Sequence, residues 1–139
     1  MAGAALLAGC LALSGCGRAA ARVEVAGKVT LAGKQVPVGR IYFNPDFAKG
    51  NDGPQGFAPI RDGAYDTRQG GRGAVGGPTV VVIQGSDGKD EVPGGAGNPL
   101  VTDYEVAVEL PRESCTRDFD VPASAAAPTP QRPRSGRRP

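Results

Sequence analysis

The chain has 139 residues, which is enough for one small domain. Its 22 Gly and 13 Pro make up about a quarter of the residues, at the lower edge of the composition typical of low-complexity chains. Four of the 16 basic residues are arginines near the C-terminus, so 12 basic residues stand against 14 acidic ones in the rest of the chain. This distribution argues against a nucleic-acid binder, which carries its positive charge on the folded surface. The absence of His excludes a His-based catalytic triad and the commonest metal ligand.

The N-terminal segment, residues 1–15, is small and apolar and carries no charge. It is too short for a helix that spans a bilayer, which needs about 20 apolar residues, and it predicts a signal peptide. Residues 13–16 (LSGC) resemble the lipobox of bacterial lipoproteins, which implies that Cys16 is lipidated and begins the mature chain. Cys10 ends a similar sequence, but cleavage before it would leave an apolar stub. No Lys or Arg precedes Cys16, unlike in most bacterial signals, and an ordinary cleaved signal remains the alternative.

A β-hairpin is predicted after a short linker at residues 16–22. Apolar residues of Val23–Leu31 recur at intervals of two or four with polar ones between them, as in a half-buried strand. Residues 32–34 (AGK) predict a turn, since Gly tolerates the positive φ of tight connections. A second strand then follows through Ile41 and Phe43.

The middle of the chain predicts more turns than strands. Residues 44–56 form a loop by composition, and the Asp-Gly at 62–63 between two β-capable runs predicts another hairpin. The Gly-rich residues 68–78 lack the GKS or GKT ending of a phosphate-binding loop. Residues 79–83 (TVVVI) are apolar on both faces and predict a central strand.

Two further strands complete the predicted domain. Residues 104–110 alternate cleanly and end at Pro111, and residues 118–121 predict a short last strand. With no helix predicted after the signal, about seven short strands indicate an all-β fold, a seven-stranded antiparallel β-sandwich of Ig-like architecture at residues 23–122. Residues 123–139 are rich in Pro, Ala and Arg and predict a disordered tail. Its arginines either contact anionic headgroups or acidic polymer, or are simply solvated.

The order of these segments resembles a known family. Residues 25–37 (VAGKVTLAGKQVP) resemble the opening of carboxypeptidase regulatory-like, transthyretin-like sandwich domains. Residues 60–65 (IRDGAY), 76–78 (GGP), 80–88, 104–111 and 118–122 (DFDVP) are similar to a family of short lipoproteins of planctomycete bacteria. With the lipobox, the resemblance covers Cys16 to about Pro122. It implies a seven-stranded sandwich on a membrane-anchored protein and carries over no catalytic residue.

The acidic residues predict neither a metal site nor a catalytic pair. The longest loop, residues 85–99, carries Asp87, Asp90 and Glu91, but the spacing of an EF-hand is missing and no metal site is predicted. Glu105 and Glu109 share one strand face about 13 Å apart, which exceeds the separation used in glycoside hydrolysis, so they predict a solvated face.

Cys115 is left without a partner if Cys10 is removed and Cys16 is acylated. An odd thiol in an exported protein indicates a free group or an intermolecular disulfide, and a tolerated cysteine without a role is the plainer interpretation.

The sequence therefore favours a non-enzymatic function, with no cofactor and no nucleic acid. The first expectation is an exported protein, lipid-anchored to the cell membrane or outer membrane, whose strand edges or loops bind an envelope protein. The alternative is a carbohydrate or cell-wall polymer binder, for which Tyr42, Tyr65 and Phe57 are the candidate ligand contacts. These three aromatic residues fit equally a role in core or edge packing.

Overall fold

The structure, a computed structural model, describes residues 20–89 and 97–128. The predicted signal peptide, Cys16 and the tail from residue 129 lie outside the described residues. Within these ranges the chain forms eleven strands and two short 3₁₀ turns. The strands are β1 (Arg22–Val23), β2 (Val25–Leu31), β3 (Lys34–Gln35), β4 (Val38–Pro45), β5 (Gly56–Arg61), β6 (Ala64–Asp66), β7 (Ala74–Val75), β8 (Gly77–Ser86), β9 (Pro99–Leu110), β10 (Cys115–Thr116) and β11 (Phe119–Val121). The 3₁₀ turns span Phe47–Lys49 and Ala123–Ala125, and no helix in the described ranges is long and apolar enough to cross a bilayer.

Most strands belong to one curled sheet, hydrogen-bonded in the order β10-β2-β6-β5-β4-β8-β9. β3 and β11 also pair with β2, while β1 and β7 form a separate two-stranded ribbon. The all-β, sandwich-like fold is therefore confirmed. The described part has more than seven strands because several are pieces of only two or three residues.

β8 is an interior strand of the sheet, paired with β4 on one side and with the edge strand β9 on the other, as its β-branched run predicts. Thr79, Val81 and Ile83 are buried on its inner face, and Val80 and Val82 are half-buried on the other. The inner side chains pack with those of the other strands into one apolar core. The rings of Phe43, Tyr65 and Phe119 follow one another through this core, with centroids 6.0 and 6.2 Å apart.

The predicted first hairpin is present but short. Ala32 and Gly33 take positive φ values of 49° and 80° in the turn, and only β3 pairs with β2 across it. β4 pairs instead with β5 and β8. Pro37 has no N–H to continue the ladder with β2, and its carbonyl accepts the Asp62 N–H at 2.7 Å.

The last strand departs from the predicted antiparallel pattern, because β10 and β11 both run parallel to β2. The Arg117 N–H donates to the Ala26 carbonyl at 2.8 Å. A side chain at Gly27 would overlap the Arg117 carbonyl oxygen, so this approach requires glycine. Between the two pieces, the Asp118 carboxylate accepts the Lys28 N–H at 2.8 Å in place of a backbone acceptor.

The chain remains on the sheet beyond residue 122, where the tail was predicted to begin. After the 3₁₀ turn, Ala126 forms an antiparallel bridge with Val101, and the Ala127 N–H donates to the Leu100 carbonyl at 2.7 Å. Residues 126 and 127 therefore cover the first part of the β9 edge.

Candidate functional site

Tyr65 and Tyr42, two of the three candidate ligand contacts, lie on opposite sides of the sheet. Tyr65 is in the core, with 4% of its surface exposed, and its hydroxyl donates to the Arg117 carbonyl at 2.6 Å. Burial raises the pKa of this hydroxyl well above its usual value. Tyr65 thus joins β6 to the C-terminal segment and offers no exposed ring.

Tyr42 is half-buried on the opposite side of the sheet, which we call the outer face: the surface formed by the outward side chains of β5, β4, β8 and β9. Its neighbours Ile41 and Phe43 are fully buried, so the alternation of the strand directs the Tyr42 side chain outward. Tyr42 lies directly opposite Phe57 on β5 and Val82 on β8.

The pair of Tyr42 and Phe57 is of the closely spaced type. Phe57 exchanges both backbone hydrogen bonds with Arg72, at 2.9 and 2.8 Å, so its N–H and C=O turn away from β4. Residues opposite each other without backbone hydrogen bonds bring their side chains closer together. The Arg40 guanidinium lies 5.8 Å from the centre of the Phe57 ring, which adds a cation to this aromatic surface.

A cleft of about 440 Å³ opens on the same face. Tyr42 and Arg40 contribute to one side of it, and Gln84, Ser86 and Thr102 supply polar atoms. The Gln84 side-chain amide donates to the Asp103 carboxylate. The cleft therefore combines an aromatic side chain, a cation and hydrogen-bonding groups.

β9 has a covered part and an open part, divided by an irregularity at Asp103. Two β9 residues, Thr102 and Asp103, stand against Gln84 alone, and Asp103 takes a positive φ of 49°. Ala126 covers Val101 on one side of this bulge. On the other side no described residue pairs with the outward edge of β9.

The direction of the unpaired backbone groups follows from β8. The Pro78 carbonyl accepts the Asp46 N–H at 2.9 Å, on the side of β4. The backbone N–H and C=O groups of Thr79, and of every second residue after it, therefore point towards β9. Their partners on β9 are Val108, Val106 and Tyr104. The N–H and C=O groups of the β9 residues that alternate with these three therefore point away from the sheet. We call the stretch Glu105–Glu109 of β9 the open edge.

The predicted solvated face of β9 coincides with this open edge. Glu105, Ala107 and Glu109 are exposed, whereas Tyr104, Val106 and Val108 are half-buried against the core. Neither glutamate forms an ion pair with a described residue. The sequence predicts correctly that both carboxylates are on a solvated strand face. It does not predict that β9 is an edge strand, because no local sequence pattern indicates how many neighbours a strand has.

Two aspartates that the sequence analysis did not select hold the C-terminal strand in place. Asp118 accepts the Lys28 N–H, as described above. The Asp120 carboxylate accepts the Thr30 hydroxyl at 2.6 Å and the Gly33 N–H at 3.1 Å, and these bonds, with Thr30 contributing most, lower its pKa. Their alternation with Phe119 is the signal in the sequence, and by itself it indicates only a strand.

The acidic loop is held by its own hydrogen bonds. Asp87 accepts backbone N–H groups of Lys89 and Asn98, each at 2.9 Å, and the Asn98 side-chain amide at 3.1 Å. These bonds, led by that from Lys89, lower the pKa of Asp87. Asp90 and Glu91 lie outside the described residues, and no group of three metal-binding side chains occurs in the described ranges.

Cys115 is half-buried in β10 and forms no disulfide with a described residue. Cys16, the predicted lipidation site, lies outside the described ranges.

Comparison of the chain with protein-family models, with curated proteins and with solved structures finds no match. The open edge and the outer face are therefore interpreted from their own chemistry.

Proposed function

We propose that this chain is a membrane-anchored lipoprotein of the bacterial cell envelope whose domain binds another protein and catalyses no reaction. The lipobox-like residues 13–16 support the anchor at Cys16. The observation that carries the binding function is the open edge of β9, Glu105–Glu109, to which a partner strand would be added.

Strand addition has a clear energetic basis at this edge. Glu105, Ala107 and Glu109 each present one N–H and one C=O to the outside, in the spacing of a regular antiparallel ladder. Each main-chain hydrogen bond made there contributes about 0.5–1.5 kcal/mol net. Natural proteins usually cover or disrupt such edges, and a regular edge left open is the template used in β-augmentation.

Replacing Ala107 by Pro tests this function. Pro removes the central outward N–H and its ring obstructs an incoming strand, but no described residue pairs with that N–H, so the domain retains its own ladder. We expect the full chain to capture one protein reproducibly from solubilised envelopes, and Ala107→Pro to lose it. Ala107→Thr is the matched control and retains it; equal capture by all three forms would contradict strand addition at this edge.

The anchor is tested separately by mass spectrometry of the mature N-terminus. We expect the chain to begin at an acylated Cys16, and Cys16→Ala to abolish membrane attachment. An unmodified Cys16 in the mature protein would contradict the anchor without bearing on the binding edge.

A second candidate function is binding of a carbohydrate or wall polymer on the outer face. It is favoured by the juxtaposition of Tyr42 and Phe57 with Arg40 beside the cleft. We expect Tyr42→Ala to lose binding to purified wall polymer if this function holds. Phe47→Ala is the control, because Phe47 is 72% exposed on a 3₁₀ turn outside this surface; equal losses in both variants would contradict a specific site.

A further inference from the structure

The side chains of the open edge indicate which kind of segment could pair with it. The inference rests on the proposed function, in which a partner strand is added to this edge. We infer that the partner of β9 is an extended protein segment with basic residues four positions apart and apolar residues next to each of them. The pattern is basic, apolar, any residue, apolar, basic.

The basic positions follow from the charges on the outer side of the edge. Glu105 and Glu109 are exposed, project to the same face and lie about 13 Å apart along the strand. A strand added beside β9 places its own side chains at the same spacing, directly opposite them. Opposite charges in such cross-strand positions attract, and neither glutamate has another partner among the described residues.

The apolar positions follow from the inner side of the edge. Tyr104, Val106 and Val108 pack against the core but are only half-buried, and no described strand pairs with β9 on this side. The alternate side chains of an added strand would point to this same side and cover them. Apolar residues at those positions would extend the core, whereas polar ones would be desolvated without a partner.

A second copy of the chain does not meet these requirements. β9 contains three acids, Asp103, Glu105 and Glu109, and no Lys or Arg. Antiparallel pairing of two copies about Ala107 would place each Glu105 opposite a Glu109 of the other copy. Like charges in directly opposite positions are destabilising, so the charges disfavour self-pairing in this register and favour a basic segment.

Two synthetic peptides, SKVTVKS and SEVTVES, test the inference on the full chain in mild detergent. Binding is measured from the NMR shifts of the Glu105, Ala107 and Glu109 amides and from their slowed hydrogen exchange. We expect the basic peptide to bind at least about tenfold more tightly than the acidic one. We expect the double variant Glu105→Lys with Glu109→Lys to invert this preference, and Ala107→Pro to abolish binding of both peptides.

Each other outcome identifies what failed. Equal binding of the two peptides, lost in Ala107→Pro, would overturn the charge pattern and leave strand addition standing. A preference for the basic peptide that survives Ala107→Pro would show simple ion pairing and would overturn both. Failure of both peptides to bind would overturn the inference while the envelope capture decides the proposed function. A wild-type dimer with protected edge amides would assign the edge to a second copy and overturn the inference.

Discussion

Tyr42 and Tyr65 both follow short alternating patterns, yet only one of them is in the core. Tyr65 is flanked by Ala64 and Asp66, neither of which is large and apolar, so the ring is the apolar group that β6 supplies to the core. Tyr42 is flanked by Ile41 and Phe43, which occupy the core face and leave the tyrosine outside. The immediate neighbours of a tyrosine therefore decide its role here.

Tyr65→Phe should remove the hydrogen bond to the Arg117 carbonyl and retain the packing of the ring. We expect the free energy of unfolding to fall by about 0.5–1.5 kcal/mol, measured by urea denaturation at pH 7. Tyr42→Phe is the control and should change it by no more than about 0.5 kcal/mol. Equal effects of the two substitutions would contradict the assigned role of the Tyr65 hydroxyl.

The raised pKa of Tyr65 also predicts the alkaline behaviour. A hydroxyl whose pKa is higher in the folded than in the unfolded chain stabilises the fold fully below the unfolded pKa, about 10. Above that pH the unfolded state ionises first and stability is lost. The wild type should therefore lose stability above about pH 10, and Tyr65→Phe should lose less over the same range.

Asp120→Asn tests the opposite case, a lowered pKa, which makes the stability of the fold decrease at acid pH. The lowered pKa of Asp120 means that its ionised form stabilises the fold above the unfolded pKa, about 3.9, and that this contribution disappears as the pH falls through the lower folded value. We expect Asp120→Asn to lower the urea midpoint at pH 7 and to weaken its decline as the pH falls below about 4. Asp87 titrates in the same direction, so part of the decline should remain.

Among the elements, the C-terminal strand approaches β2 closely at one position, Gly27. A methyl group at Gly27 would overlap the Arg117 carbonyl oxygen, which is backbone and has little freedom to move. We expect Gly27→Ala to lower the free energy of unfolding by more than about 2 kcal/mol and to speed hydrogen exchange of the Arg117 amide, which donates to Ala26. Lys28→Ala, at the neighbouring exposed position, is the control; an equal effect there would contradict a steric cause.

Strand positions were predicted well where the local pattern is strong. The run Thr79–Ile83 is β-branched or apolar throughout and belongs to an interior strand, and Phe119–Val121 forms the last strand. Strand partners were predicted less well, because pairing is decided by residues far apart in the chain. The close approach of the C-terminal segment to β2 depends on Gly27, and the set of β9 amides that point outward depends on which residues of β8 face β4; neither relation leaves a local signal.

At the scale of the whole molecule, the charges of β9 predict its state of association. Glu109→Lys would make the edge self-complementary, since pairing about Ala107 then places each Glu105 opposite a new lysine. We expect this variant to dimerise in sedimentation velocity at concentrations where the wild type stays monomeric. The double variant with Glu105→Lys restores like charges and should be monomeric again; a monomeric Glu109→Lys protein at high concentration would contradict the role of charge.

Ala126 and Ala127 pair with the start of β9 and so limit the length of any strand that could be added to this edge. Together with the bulge at Asp103, it leaves room for a ladder of about five residues and no more. A domain of this kind would suit short linear motifs within larger proteins. A protease that trimmed the chain back to Pro122 would uncover Val101 and lengthen the unpaired edge of β9, which would favour unwanted association with other strands.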